Sequence, residues 1–164
     1  MVVIVMGVSG AGKSMIGNAL ATSLGWEFRD GDDLHSAENK RKMHRGVPLT
    51  DLDRAPWLLT VRTLIQSMLS SGRNGVVACS ALKQSYRDRI IVDPALVKIV
   101  YLKGSQRLIA ERLAGRTGHF MNPALLQSQF HALEEPVDAI VVDVSAAPEA
   151  IVDTIKSQLG LQAG

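Results

Sequence analysis

With 164 residues, 46% of them hydrophobic and 21% charged, the chain is long enough for one domain around a sizeable core and too apolar to be disordered. A formal net charge of +2 argues against a dedicated nucleic-acid binder, and no apolar run approaches the ~20 residues a membrane span requires. The single cysteine, Cys79, excludes an intrachain disulfide and closes the apolar run Val76-Val77-Ala78, so it reads as a buried, inert thiol. The N-terminal residues carry neither a basic leader nor a cleavage site, so a cytoplasmic location is expected.

In chain order, residues 2–6 (VVIVM) read as a buried strand. Gly7-Val8-Ser9-Gly10-Ala11-Gly12-Lys13-Ser14 follows and matches the phosphate-binding loop G-x-x-x-x-G-K-[ST] in full. A helix over 13–24 comes next, so the pattern has the strand before it and the helix after it that the mechanism needs. Glycines let the backbone wrap an anion at a helix N-terminus, where unpaired N–H groups point outward. Lys13 can reach the β- and γ-phosphates, and the Ser14 hydroxyl can hold Mg²⁺. The nucleotide-binding candidates are Gly7, Ser9, Gly10, Ala11, Gly12, Lys13, Ser14 and Met15.

A second strand is predicted at 26–29, then a long polar and basic insertion at about 30–57. Asp30-Gly31-Asp32 opens it, at a strand end where carboxylates can hold a metal through water or accept hydrogen bonds from an acceptor hydroxyl. A helix over 36–44 carries Asn39, Lys40, Arg41 and Lys42, mostly as a solvated face. A further helix is predicted over 53–71, with Asp53 as its N-cap and Arg54 projecting from its start; Trp57 reads as packing. Arg is the side chain best shaped for a carboxylate or phosphate. With only 4% aromatic residues, the pocket suits a small hydroxylated acid better than a second nucleobase.

Beyond a third strand at 75–79, Ser80 is the expected N-cap of a helix over 81–91, which would place Lys83 and Arg87 on one face. A fourth strand at 97–102 precedes a helix over 105–114. Arg112, Gly115, Arg116, Gly118 and His119 then mark a lid at about 112–123, whose arginines can neutralise charge over the triphosphate. A helix over 123–133, a last strand at 139–143 and a helix over 148–159 complete the chain. Asp143 imitates a Walker B aspartate but falls in the last strand and reads as structural. His35, His44, His119 and His131 show no zinc spacing. Strands alternating with helices predict one domain over 1–164: a three-layer α/β sandwich whose five-stranded parallel sheet is covered on both faces, with a small lid.

Taken together, GVSGAGKS at 7–14, DGDDLHSAENKRKMHRGVPLTDLDRAPWL at 30–58, CSALKQSYRD at 79–88, YLKG at 101–104 and GRTGHFMNPALLQSQFHALEEP at 115–136 resemble the P-loop gluconokinases, relatives of shikimate and adenylate kinases. The resemblance spans most of the chain in the family's order, and the 30–58 stretch is far more specific than the P-loop. It implies ATP-dependent phosphorylation of D-gluconate to 6-phospho-D-gluconate, with Mg²⁺, and commonly a homodimer. It implies catalytic roles for Lys13, Asp32 and Arg116. Asp30, Asp32, His35, Arg54, Lys83, Arg87 and His119 would bind gluconate, Arg112 would serve the nucleotide, and Ser14 with Asp30 would hold the metal. Departures fall after Glu134-Glu135-Pro136, where the connector is short, at 144–148, which lacks an acidic residue, and at Arg29. The nearest rival acceptor is shikimate, against which stands the lack of a Gly-Gly-Gly after the third strand. A guanine-nucleotide switch would need an Asn/Thr-Lys-x-Asp, and Asn39-Lys40-Arg41-Lys42 lacks the aspartate.

Overall fold

A computed structural model describes residues 1–115 and 123–161. Five strands form one parallel sheet in the order β2-β3-β1-β4-β5: β1 Val2–Met6, β2 Glu27–Asp30, β3 Gly75–Ala78, β4 Val97–Lys103 and β5 Ile140–Asp143. The central strand β1 is Val, Val, Ile, Val, Met and is buried along its whole length. Such unbroken apolar runs, rather than alternating ones, are what a sheet covered on both faces selects. The edge strands β2 and β5 are only partly buried, and there Arg29, Val141 and Asp143 face solvent.

Helices α1 (Lys13–Leu24), α5 (Gln106–Ala114), α6 (Pro123–Ala132) and α7 (Pro148–Leu159) cover one face. Their core includes Ile16, Leu20, Ile109, Leu126 and Ile155 against Val3, Val5 and Val100. The other face carries α3 (Asp51–Ser70) and α4 (Gln84–Ile90), with Trp57, Leu58, Val61, Ile65 and Tyr86 packed on Val2, Ile4 and Val77. A short helix, α2 (Ala37–His44), precedes α3 and is capped by Ser36, whose hydroxyl accepts from the Asn39 N–H at 3.1 Å. Among the described residues no helix is long and apolar enough to cross a membrane.

The strand order places β1 where the chain reverses direction across the sheet, the position at which open parallel sheets bind ligands beyond their carboxyl ends. Register fixes the levels: Val5 pairs with Ala78 and Ala78 with Asp30, so the P-loop, Asp30 and Ser80 leave the sheet side by side.

Two helix starts differ from expectation by more than one residue. α3 begins at Asp51, two residues early, because Thr50 is the N-cap: its hydroxyl accepts from the Asp53 N–H at 3.1 Å, and Asp53 returns the contact to the Thr50 N–H at 2.9 Å. α4 begins at Gln84, three residues late, and Ser80 is not its cap. Ala81 takes a positive φ of 45°, which breaks the helix before Lys83, the actual N-cap.

Candidate functional site

The P-loop wraps the start of α1. Gly10 and Gly12 hold φ of 84° and 96°, and a Cβ on Gly10 would fall 2.8 Å from Leu113 of α5, so neither angle nor space admits a side chain there. Lys13 extends back along the loop and donates to the Val8 carbonyl at 3.1 Å. Ser14 donates to Asp30 Oδ2 at 2.5 Å, and the other oxygen of Asp30 accepts from the Asp32 N–H at 3.0 Å. The two expected metal ligands, Ser14 and Asp30, are thus in direct contact. Two hard oxygen donors beside a phosphate loop suit Mg²⁺, which keeps several waters and takes few protein ligands.

Gly31 fixes the turn between them. A Cβ there would come within 2.5 Å of the Ala78 carbonyl, and its own carbonyl accepts from Trp57 Nε1 at 2.7 Å. Asp32 is thereby aimed into a cleft of about 200 Å³, lined among others by Ser9, Lys13, Asp32, His35, Arg54, Trp57, Ser80 and Gln129. The Asp32 carboxyl reaches solvent, yet protein atoms crowd it. That crowding raises its pKa above the ordinary carboxylate value of 3.8; Lys13 opposes the rise, while Asp30 and Asp33 add to it.

His35 lies flat on Trp57, ring centroids 4.2 Å apart and planes 14° from parallel. Burial, then the positive charges of Arg54 and Lys40, lower its pKa from 6.5 to about 4, so it is neutral at pH 7. Arg54 donates to the Leu49 carbonyl at 2.7 Å and to the Tyr86 hydroxyl at 3.3 Å, with its guanidinium 5.5 Å over the Tyr86 ring. It lines the cleft from the first turn of α3.

Lys83 and Arg87 differ from expectation: neither lines this cleft. Lys83 is paired with Asp51 at 3.4 Å. Arg87 is 1% exposed and donates to the carbonyls of Ala81 at 2.7 Å, Leu82 at 3.1 Å and Glu134 at 2.7 Å. It holds together the irregular loop that presents Ser80, with its N–H groups turned to backbone carbonyls and not into the cleft. Arg116 and His119 lie outside the described residues, as does most of the expected lid. Arg112 donates to the Val144 carbonyl at 2.5 Å and borders a recess of about 160 Å³ with Gly10, Gly12, Met15, Val144, Ala146 and Pro148. That recess and the cleft share the P-loop as their common wall. Asp143 accepts from the Ser145 N–H at 2.8 Å and only closes a turn after β5. Cys79 is fully buried and burial pushes its thiol up to about 12, so it is inert as expected.

Three residues outside the expected ligand set shape the cleft. Trp57 packs as expected, and it also floors the site under His35. Asn39 stands in the charged helix α2, yet it is buried between His35 and Asp53. Gln129 of α6 accepts from the Ser9 N–H at 2.7 Å and donates to the Ser9 hydroxyl at 3.2 Å, tying the helix after the lid to the P-loop. The one uncharged amide in a charged run, four residues after His35, is the signal that would have found Asn39.

The chain is similar to known proteins in both sequence and fold. The sequence model of one family, shikimate kinase, matches residues 9–160. A probable gluconokinase of Mus musculus is 49% identical over 152 residues, covering 82% of this chain and 83% of its own. The crystal structure of a gluconokinase from Sinorhizobium meliloti is 46% identical and superimposes with a TM-score of 0.86, covering 96% of this chain and 90% of its own. An unliganded sugar kinase from Janibacter sp. reaches a TM-score of 0.91 at 40% identity, over 99% of this chain and 95% of its own.

Proposed function

The chain belongs to the gluconokinase family, within the shikimate kinase type of P-loop kinases, and from that premise we propose how its two pockets carry the ATP-dependent phosphorylation of D-gluconate. The products are 6-phospho-D-gluconate and ADP. One observation carries the assignment: Lys13 of the phosphate loop lines the same cleft as Asp32, His35 and Arg54. Phosphoryl transfer needs donor and acceptor in line and in contact, and little else from the protein but positioning and charge stabilisation.

ATP lies with its phosphates in the P-loop and its base in the recess beside Arg112 and Met15. Gluconate fills the cleft, with Arg54 as the cationic partner for its carboxylate and Asp32 next to its 6-hydroxyl. As the O6–P bond forms and the bond from the γ-phosphorus to the β-bridging oxygen breaks, Asp32 accepts the hydroxyl proton and ADP departs. Lys13 stabilises charge on the phosphoryl oxygens, with Arg116 assigned to the same task and His119 to gluconate. Ser14 and Asp30 would hold Mg²⁺, whose charge offsets that of the triphosphate.

The test is a coupled assay with ATP over a panel of sugar acids. Turnover of gluconate is expected, and turnover of shikimate in its place overturns the reading. Asp32→Asn should fold normally and lose about 10²–10⁴ in kcat, the range of a lost general base. In the parent enzyme, kcat should fall as acid protonates Asp32, at a pH above the ordinary carboxylate value. Unchanged turnover in the variant removes Asp32 from the chemistry.

The same reading includes a homodimer in the cytoplasm. Leu52 and Leu59, 87% and 63% exposed and seven residues apart on α3, offer an apolar stripe for a second copy. Leu59→Glu should therefore halve the mass seen by light scattering while leaving the far-ultraviolet circular dichroism of the subunit unchanged.

A further inference from the structure

Asn39 makes two contacts with one amide nitrogen. Nδ2 donates to the Asp53 carbonyl at 2.8 Å and stands 3.3 Å from His35 Nδ1. A backbone carbonyl only accepts, so the nitrogen of the carboxamide, not its oxygen, must face Asp53. Both N–H bonds are then committed, one to the carbonyl and one to the imidazole, and His35 Nδ1 has to supply a lone pair. A neutral imidazole with its lone pair on Nδ1 carries its proton on Nε2.

The ring has no freedom to reverse this. It is stacked on Trp57, whose indole N–H is anchored to the Gly31 carbonyl, and both His35 and Asn39 are under a tenth exposed. Among the described residues the only shielded side-chain nitrogen or oxygen without a partner is Arg87 Nε. Nε2 of His35, with no partner among the described residues, therefore opens onto the cleft that the residue lines. Burial together with Arg54 and Lys40 keeps the ring uncharged.

We infer that Asn39 is a positioning residue that locks His35 as the Nε2–H tautomer, so that His35 recognises the sugar acid by donating a hydrogen bond to one of its oxygens. This rests on the gluconate reading of the cleft and deepens it. A fixed donor rejects an acceptor molecule that lacks an oxygen at that point, because a buried N–H is left unpaired.

Nitrogen-15 NMR of the protein labelled at histidine, with His35 identified by its loss in His35→Gln, reads the tautomer directly. At pH 7 the expected spectrum shows a bare Nδ1 and a protonated Nε2, and saturating gluconate shifts the Nε2 signal. A proton on Nδ1, or an imidazolium, overturns the tautomer assignment whatever the activity. The right tautomer with an Nε2 signal that gluconate leaves unmoved overturns the contact, while gluconate turnover in the coupled assay is judged separately. Asn39→Asp, whose carboxylate would draw the proton to Nδ1, should raise KM for gluconate about tenfold and leave KM for ATP within about twofold, the value of one neutral hydrogen bond. Equal KM values for gluconate in Asn39→Asp and the parent, with the proton moved to Nδ1, also overturn it.

Discussion

Arg87 and Arg54 have the same side chain and opposite employment. Arg54 keeps its face to the cleft, whereas Arg87 spends its N–H groups on the carbonyls of Ala81, Leu82 and Glu134. Burial lowers the pKa of Arg87, with Glu134 and then Asp88 opposing, so the guanidinium is held by those oxygens against a desolvation cost. Arg87→Ala takes the side-chain donor from the Ala81 and Glu134 carbonyls, while Leu82 keeps the Glu134 N–H, and the expected loss is about 3 kcal/mol in urea unfolding. A variant of parental stability with only a raised KM for gluconate would return Arg87 to the acceptor site. The sequence could not distinguish the two arginines. Lys83 and Arg87 stand four apart, which reads as a helix face, and nothing in the letters reveals that Ala81 turns left-handed and starts the helix three residues late. Asp32 was legible because Asp-Gly-Asp at a strand end follows a P-loop; the need for Gly31, the Ala78 carbonyl 2.5 Å from its missing Cβ, was visible only in three dimensions.

At the scale of elements, the ends marked by strong punctuation were readable to the residue. α1 runs from Gly12 to Gly25, both left-handed, and α7 from Pro148 to a left-handed Gly160. The start of α3 was misplaced by two residues because Thr50 and Asp53 compete as caps, and only the reciprocal pair of bonds shows that Thr50 leads and Asp53 answers. That capping box also joins two helices. Lys42 of α2 bridges to Asp53 at 3.0 Å, and Asn39 donates to the Asp53 carbonyl, so the cap positions His35 and Arg54 together. The Thr50 N–H and the Lys42 ammonium hold the Asp53 carboxyl near pH 2, which keeps the box closed at neutral pH. Thr50→Ala should cost about 1 kcal/mol in stability. It should also raise KM for gluconate more than KM for ATP, since the cap supports the acceptor wall and not the P-loop. Equal effects on both constants would show that α2 and α3 do not act as that wall.

At the scale of the molecule, the sheet does one thing for function: it brings loops distant in sequence to the carboxyl ends of β1, β2 and β3. The alternation of strands and helices made this legible, as did the full P-loop motif, and the 30–58 stretch carries the likeness that points to the acceptor. What the alternation could not supply was the division of space, with the P-loop as one wall between a recess at Arg112 and a cleft at Asp32. Two ligands seated on either side of one loop should each stabilise the native chain by mass action. A ligand at about 100 times its Kd adds ~2.7 kcal/mol. For a domain of this size each kcal/mol raises Tm by about 2–4 °C, so MgATP at that excess should raise it by about 5–11 °C. Gluconate should add its own shift in the presence of a non-hydrolysable ATP analogue, and shikimate at equal concentration should add none. Chelation of Mg²⁺ should remove most of the nucleotide's shift and little of gluconate's, because Ser14 and Asp30 belong to the phosphate side. A gluconate shift that vanished with the metal would place the sugar acid on the ion itself, and the boundary between the two pockets would have to be redrawn through Asp30.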